Sequence, residues 1–155
     1  MNDSLRTLKD FFAAEAAYVT AGGPGKADFS GMAAHLHPDV VMYQAGSLPY
    51  GGEWTGPAGI ESFMAAMSEE WTSLEFLEQR FAADGPTVAV YNRGMLRARA
   101  TGRALKTSVM QWFTLENGLI REMRPFYLDT AAVLDALGHR LHASGRAAQD
   151  RRSDI

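Results

Sequence analysis

The chain has 155 residues, no cysteine and a net charge of −3 at pH 7, with a pI near 5.8. That length suits one domain with a sizeable core. The missing cysteines exclude a disulfide framework or thiolate metal site, and the mild acidity leaves no broad basic footprint for nucleic acid or anionic lipid.

From Ser4 to about Thr20, Leu5, Leu8, Phe11, Phe12, Ala16 and Val19 keep a helical period, with Ser4 placed as N-cap. Gly22-Gly23-Pro24-Gly25 ends that helix. A short second helix carries Phe29, Met32, Ala33 and Leu36 after Asp28 or Ser30 as cap, and His37-Pro38 stops it. Val40 and Val41 open a strand that enters a Gly/Pro-rich crossing, Gly46 to Gly52. The chain leaves through Gly56-Pro57 into a third helix, with Gly56 as N-cap and Pro57 at the first helical position. Ile60, Phe63, Met64, Met67 and Trp71 form its apolar face.

Beyond Trp71 the period changes. Stretches near 74–83, 87–99, 103–116 and 119–128 are separated by Asp84-Gly85-Pro86, Thr101-Gly102 and Asn117-Gly118, which predicts an antiparallel meander. A last helix follows Asp129, turns Val133, Leu134 and Leu137 inward and closes at Gly138. The expected domain runs from 4 to 138, with 139–155 a polar, frayed tail. Such an order reads as α+β, with three to four helices around the pocket of a strongly curved, mostly antiparallel sheet. The aromatic residues suited to lining a cone are Tyr18, Tyr43, Tyr50, Trp54, Trp71, Tyr91, Trp112, Phe126 and Tyr127, joined by Phe63, Met67 and Met123. Most of them are equally suited to an ordinary core.

The crossing GSLPYGGEWTGPAGIESF and the closing FTLENGLIREMRPFYLD resemble the SnoaL-like, NTF2-like superfamily of ketosteroid isomerases, polyketide cyclases and limonene-epoxide hydrolases. The resemblance covers about 4–138 and implies the cone fold, whose members differ in chemistry. Against the isomerase pattern, Tyr18 falls on the tyrosine that donates to an enolate oxygen. Tyr43 stands at the general-base aspartate and Gln111 at the second oxyanion-hole acid. Against the epoxide-hydrolase pattern, Tyr43-Gln44 and Arg93 match, while Met95 and Pro125 replace the two aspartates and Ala45 an asparagine. A tyrosine of pKa about 10 is a poor base at neutral pH. The resemblance therefore implies neither ketosteroid isomerisation nor limonene-epoxide hydrolysis at typical rates.

Arg93 shares a strand face with Tyr91 and Met95, and the parity that puts them inside or outside the cone is open. Asp129 reads as an N-cap ahead of an acid–base role. His35 and His37 lack helical metal spacing, and Glu53, Glu61, Glu69, Glu70, Glu75 and Glu78 read as solvated faces. No phosphate loop, dinucleotide fingerprint or nucleophile elbow occurs, and no cofactor or metal is expected. No apolar run approaches the roughly 20 residues that span a bilayer, and the N-terminus lacks a charged segment followed by an apolar one. The expected location is cytoplasmic, with no membrane or nucleic-acid partner. The functional expectation is a small, largely apolar, cyclic ligand anchored by Tyr18, Tyr43, Arg93 and Gln111, bound without the usual catalytic carboxylates. The alternative is an isomerase, cyclase or hydrolase in which Arg93 lowers the pKa of Tyr43. A homodimer through the outer sheet face is implied by the resemblance and by outward Met110 and Trp112.

Overall fold

Apolar side chains at three- and four-residue steps give helix α1 (Asp3–Ala21) a buried face of Leu8, Phe11, Phe12, Tyr18 and Val19, interrupted by one acid, Glu15. A computed structural model of the protein describes residues 3–139. After α1 come α2 (Ser30–Ala33), β1 (Leu36–Gln44), β2 (Gly52–Thr55), α3 (Gly56–Glu70), β3 (Trp71–Asp84), β4 (Thr87–Ala98), β5 (Ala104–Glu116), β6 (Leu119–Tyr127) and α4 (Thr130–Ala136). Residues 140–155, most of the expected tail, lie outside the described residues.

One six-stranded sheet runs in the order β2-β1-β6-β5-β4-β3. Every neighbouring pair is antiparallel except β1 with β6. Register shifts between Trp71 and Ser73, Phe76 and Glu78, and Thr114 and Leu115 interrupt the long strands, and such bulges bend a strand and increase its twist. The curved α+β cone expected from the element order is the fold observed. Phe12 projects from α1 onto the concave side, where its ring meets Phe76, Phe81 and Phe113 edge-on at 5.4, 6.5 and 5.6 Å between centroids. Asn117 and Gly118 both take positive φ, 51° and 76°, which lets a two-residue turn join β5 to β6.

Several local expectations need correction. The crossing after β1 is a hairpin: Gly51 N–H donates to Leu48 O at 2.9 Å, and Gly52–Thr55 returns as the edge strand β2. A Cβ on Gly51 would lie 2.3 Å from Ala45 O, so the turn closes only around glycine. Trp71 does not extend the face of α3; it caps that helix in extended conformation and starts β3. Thr55 is the N-cap of α3 in place of Gly56. The strand expected from Val40 begins at Leu36, taking in His37 and Pro38. Before α2, Asp28 accepts from both the N–H and the hydroxyl of Ser30.

Candidate functional site

Alternation along the strands decides what faces the cone. On β4, Asn92, Gly94 and Leu96 line the cavity; Tyr91, Arg93 and Met95 therefore occupy the convex face. Arg93 does not enter the cone. Its Nε lies 3.4 Å from Glu78 Oε2 on the neighbouring strand, and Tyr91 shares a hydrogen bond of 2.9 Å with Ser108 Oγ. On β1, Met42 and Gln44 face inward. Tyr43 faces outward, beneath the guanidinium of Arg124 at 3.9 Å from its ring centroid. The expected tyrosine–arginine site is thus not assembled: both residues sit outside the cone, and the arginine on Tyr43 is Arg124.

Tyr18 is buried but lies away from the cavity, edge-on to Phe29 at 6.0 Å, and burial raises its pKa. Met123 is buried in the core and Trp54 half-buried, neither lining the cavity. Trp54 donates its Nε1–H to Tyr50 O at 3.1 Å and packs on Phe63. Asp129 caps α4, its Oδ1 accepting from Ala132 N–H at 2.9 Å.

The cavity is lined by Tyr50, Phe63, Met67, Trp71, Gln111 and Tyr127 from the expected set, together with Glu15, Met42, Gln44, Asn92 and Thr107. Its volume is about 70 Å³, below the roughly 300–1,000 Å³ of most ligand pockets. A ring-sized ligand therefore requires side chains to move aside, and the unbranched Met42 and Met67 in its wall can do so at small cost.

Two polar features stand out in this apolar wall. The first is a pair of buried phenols. Trp71 Nε1–H donates to the Tyr50 hydroxyl at 3.2 Å, and Tyr127 donates to Gln44 Oε1 at 2.9 Å. Burial pushes the Tyr50 phenol up to about 12 and that of Tyr127 well above its ordinary value. Both stay protonated at neutral pH and serve as neutral hydrogen-bonding groups.

The second is Glu15, absent from the residues expected at the site. It sits one turn beyond Phe11 and Phe12 and one turn before Tyr18 and Val19, so helical geometry carries it onto the buried face. The residue is 9% exposed. Burial raises its carboxyl from 4.5 to about 7; among the described residues no cation offsets the desolvation. The signal in the sequence is its position: an acid at a core-facing helical step. Glu15 is the one carboxyl lining the cavity among the described residues. No cluster of three or more His, Asp or Glu side chains placed to hold a metal occurs among them, and no helix among them is long and apolar enough to cross a membrane.

A family model described as a SnoaL-like domain matches residues 8–123. An NTF2-like protein from Burkholderia xenovorans LB400 is 23% identical, with 88% of this chain and 97% of that one covered at a TM-score of 0.74. A putative SnoaL-like polyketide cyclase from Jannaschia sp. CCS1 is 18% identical over 89% and 93%, TM-score 0.70. An LEH-like epoxide hydrolase of M. tuberculosis is 19% identical over 95% and 98%, TM-score 0.66. These likenesses establish the fold. No curated protein matches the sequence.

Proposed function

From the premise that this chain belongs to the SnoaL-like domain family, we propose that its cone takes a small, largely apolar ring compound and that Glu15 moves a proton on it. The observation that carries this reading is a buried carboxyl in the wall of the cavity, where desolvation raises its pKa to about 7. A general acid–base group is most effective with a pKa near the working pH. The positions that hold acids in related enzymes carry Tyr43, Met95 and Pro125 here, yet Glu15 supplies a carboxyl from α1.

A lone carboxyl suits some chemistries better than others. Isomerisation or ring closure next to a carbonyl takes a proton from one carbon and returns it elsewhere, so one group can do both steps. Epoxide hydrolysis needs a base for water and an acid for the leaving oxygen together. One cavity carboxyl favours the isomerase or cyclase class over the hydrolase. A ligand-binding protein without turnover is the second reading, favoured by the neutral tyrosines of the wall.

The test is exchange of the α-protons of 1-tetralone in D₂O, followed by NMR. Wild type should accelerate exchange, with activity rising as pH passes about 7, the value to which Glu15 is raised. Glu15→Gln should be slower by about 10²–10⁴-fold. Equal rates in the two proteins would overturn the acid–base role; saturable binding with no exchange in either would support the binding reading.

The convex face bears on assembly. Met110 and Phe126 are paired across β5 and β6, Trp112 lies beside Arg124, and Trp112 and Phe126 are 47% and 63% exposed. The nearby charges Glu78, Arg80, Arg93, Glu122 and Arg124 are already matched within the chain. Beside these ion pairs the face carries exposed apolar side chains, and a second copy supplies the same surface through a twofold axis. Light scattering should give about twice the chain mass of 16.9 kDa, and Trp112→Glu should halve it. A wild-type monomer over a wide concentration range would count against the dimer.

A further inference from the structure

We propose that Asn92 is the ligand-reading residue of the cone, donating from Nδ2 to a carbonyl oxygen of the bound ring. The inference rests on the cone being the ligand site and deepens it by naming the group recognised. Asn92 lies on the concave face of β4 and is 4% exposed. Its Oδ1 accepts from Gln79 Nε2 at 2.8 Å, which fixes the amide plane. Its Nδ2 is buried with no hydrogen-bond partner.

A buried donor without an acceptor is unfavourable, because it has given up water for nothing. Two other buried polar atoms share that condition among the described residues, but both lie elsewhere. Ser68 Oγ is at the close approach of α3 to Gly23, and Arg93 Nε is on the convex face beside Glu78. Asn92 alone of the three lines the cavity. Along the strand its inward neighbour is Gly94, which has no side chain to cover it.

The surroundings define the partner. Asn92 is opposite Val109 on β5 and Gln111 is opposite Val90, so the two residues are diagonal neighbours on one sheet face, with backbones about 7–8 Å apart. A neutral donor in an apolar wall selects a neutral acceptor, a ketone or quinone oxygen, over a hydrocarbon or a cation. An oxygen on Nδ2 gains stabilisation as negative charge builds on it during proton removal from the adjacent carbon. Fixed by Gln79, the amide needs no reorganisation to give it.

The test compares 1-tetralone with tetralin, equal rings with and without the oxygen, by quenching of Trp71 fluorescence. Wild type should bind the ketone about five- to tenfold more tightly, the worth of one neutral hydrogen bond. Asn92→Leu should remove that preference while still binding tetralin. Gln79→Met, which frees the amide without deleting it, should reduce the preference part of the way and keeps the test alive if Asn92→Leu fails to fold. A preference that survives both substitutions, or is absent in wild type, overturns the assignment. Tetralin binding without a ketone preference would sink this inference and leave the acid–base reading of Glu15 standing, whereas binding of neither ring would sink both.

Discussion

Phe12→Ala is expected to destabilise the protein by about 3–5 kcal/mol, the range for deleting a fully buried aromatic ring. Phe12 has no solvent exposure. It joins α1 to the sheet through Phe76 on β3, Phe81 further along the same strand and Phe113 on β5, and it also meets Phe11 at 6.1 Å. Removing the ring takes away the edge-on contacts and leaves a cavity that backbone elements from both layers border, so neither side can collapse alone. Against a typical total of about 5–15 kcal/mol, that loss would leave a marginal fold. Urea denaturation monitored by circular dichroism reads it directly. A loss under about 1 kcal/mol would mean that α1 is held on the sheet by something other than this cluster.

Between pH 4.5 and 8 the wild type is expected to lose roughly 3 kcal/mol of stability through Glu15, a loss that Glu15→Gln does not share. The folded carboxyl is raised to about 7 from a reference of 4.5, and a tenfold change in proton affinity corresponds to about 1.4 kcal/mol. The sign follows from proton counting. Between the two values the native protein holds a proton that the unfolded chain has released, so stability falls as pH rises. It is fully present below 4.5, is lost progressively up to about 7, and stays lost above. Subtracting the Gln variant's profile removes the titration of every other group. The difference should reach roughly 6–12 °C in Tm for a chain of this size. A flat difference profile would mean that Glu15 ionises as readily in the cone as in water.

The fold is legible in the sequence because its signals are local and repeated. Helical steps in α1 and α3, the Asn117-Gly118 turn and the Asp129 cap each depend on a few adjacent residues, and together they give the element order of a cone. Strand parity is not legible, and with it goes much of the site. In β1, Val40 and Met42 face in while Val41 and Tyr43 face out, yet all four are apolar or aromatic, so no alternation marks the buried side. In β4 the polar residues divide between the faces, with Asn92 inward and Arg93 outward, because the wall of a cavity tolerates polar groups that a packed core excludes. Glu15 is hidden for a related reason. Family resemblance points to carboxylates on the strands, while the helical period places one on α1. The short edge strand β2 is masked by the glycines and proline of its hairpin, which read as loop because their role is to turn the chain between Gln44 and Gly52.

The acid–base reading requires that the cone hold a carboxyl able to take and return a proton near neutral pH. The direct measurement is an NMR titration of protein labelled with ¹³C at the glutamate carboxyl, with Glu15→Gln identifying the resonance. A midpoint near 7 for the resonance lost in that variant is the predicted result; a midpoint near the ordinary value of 4.5 would contradict it.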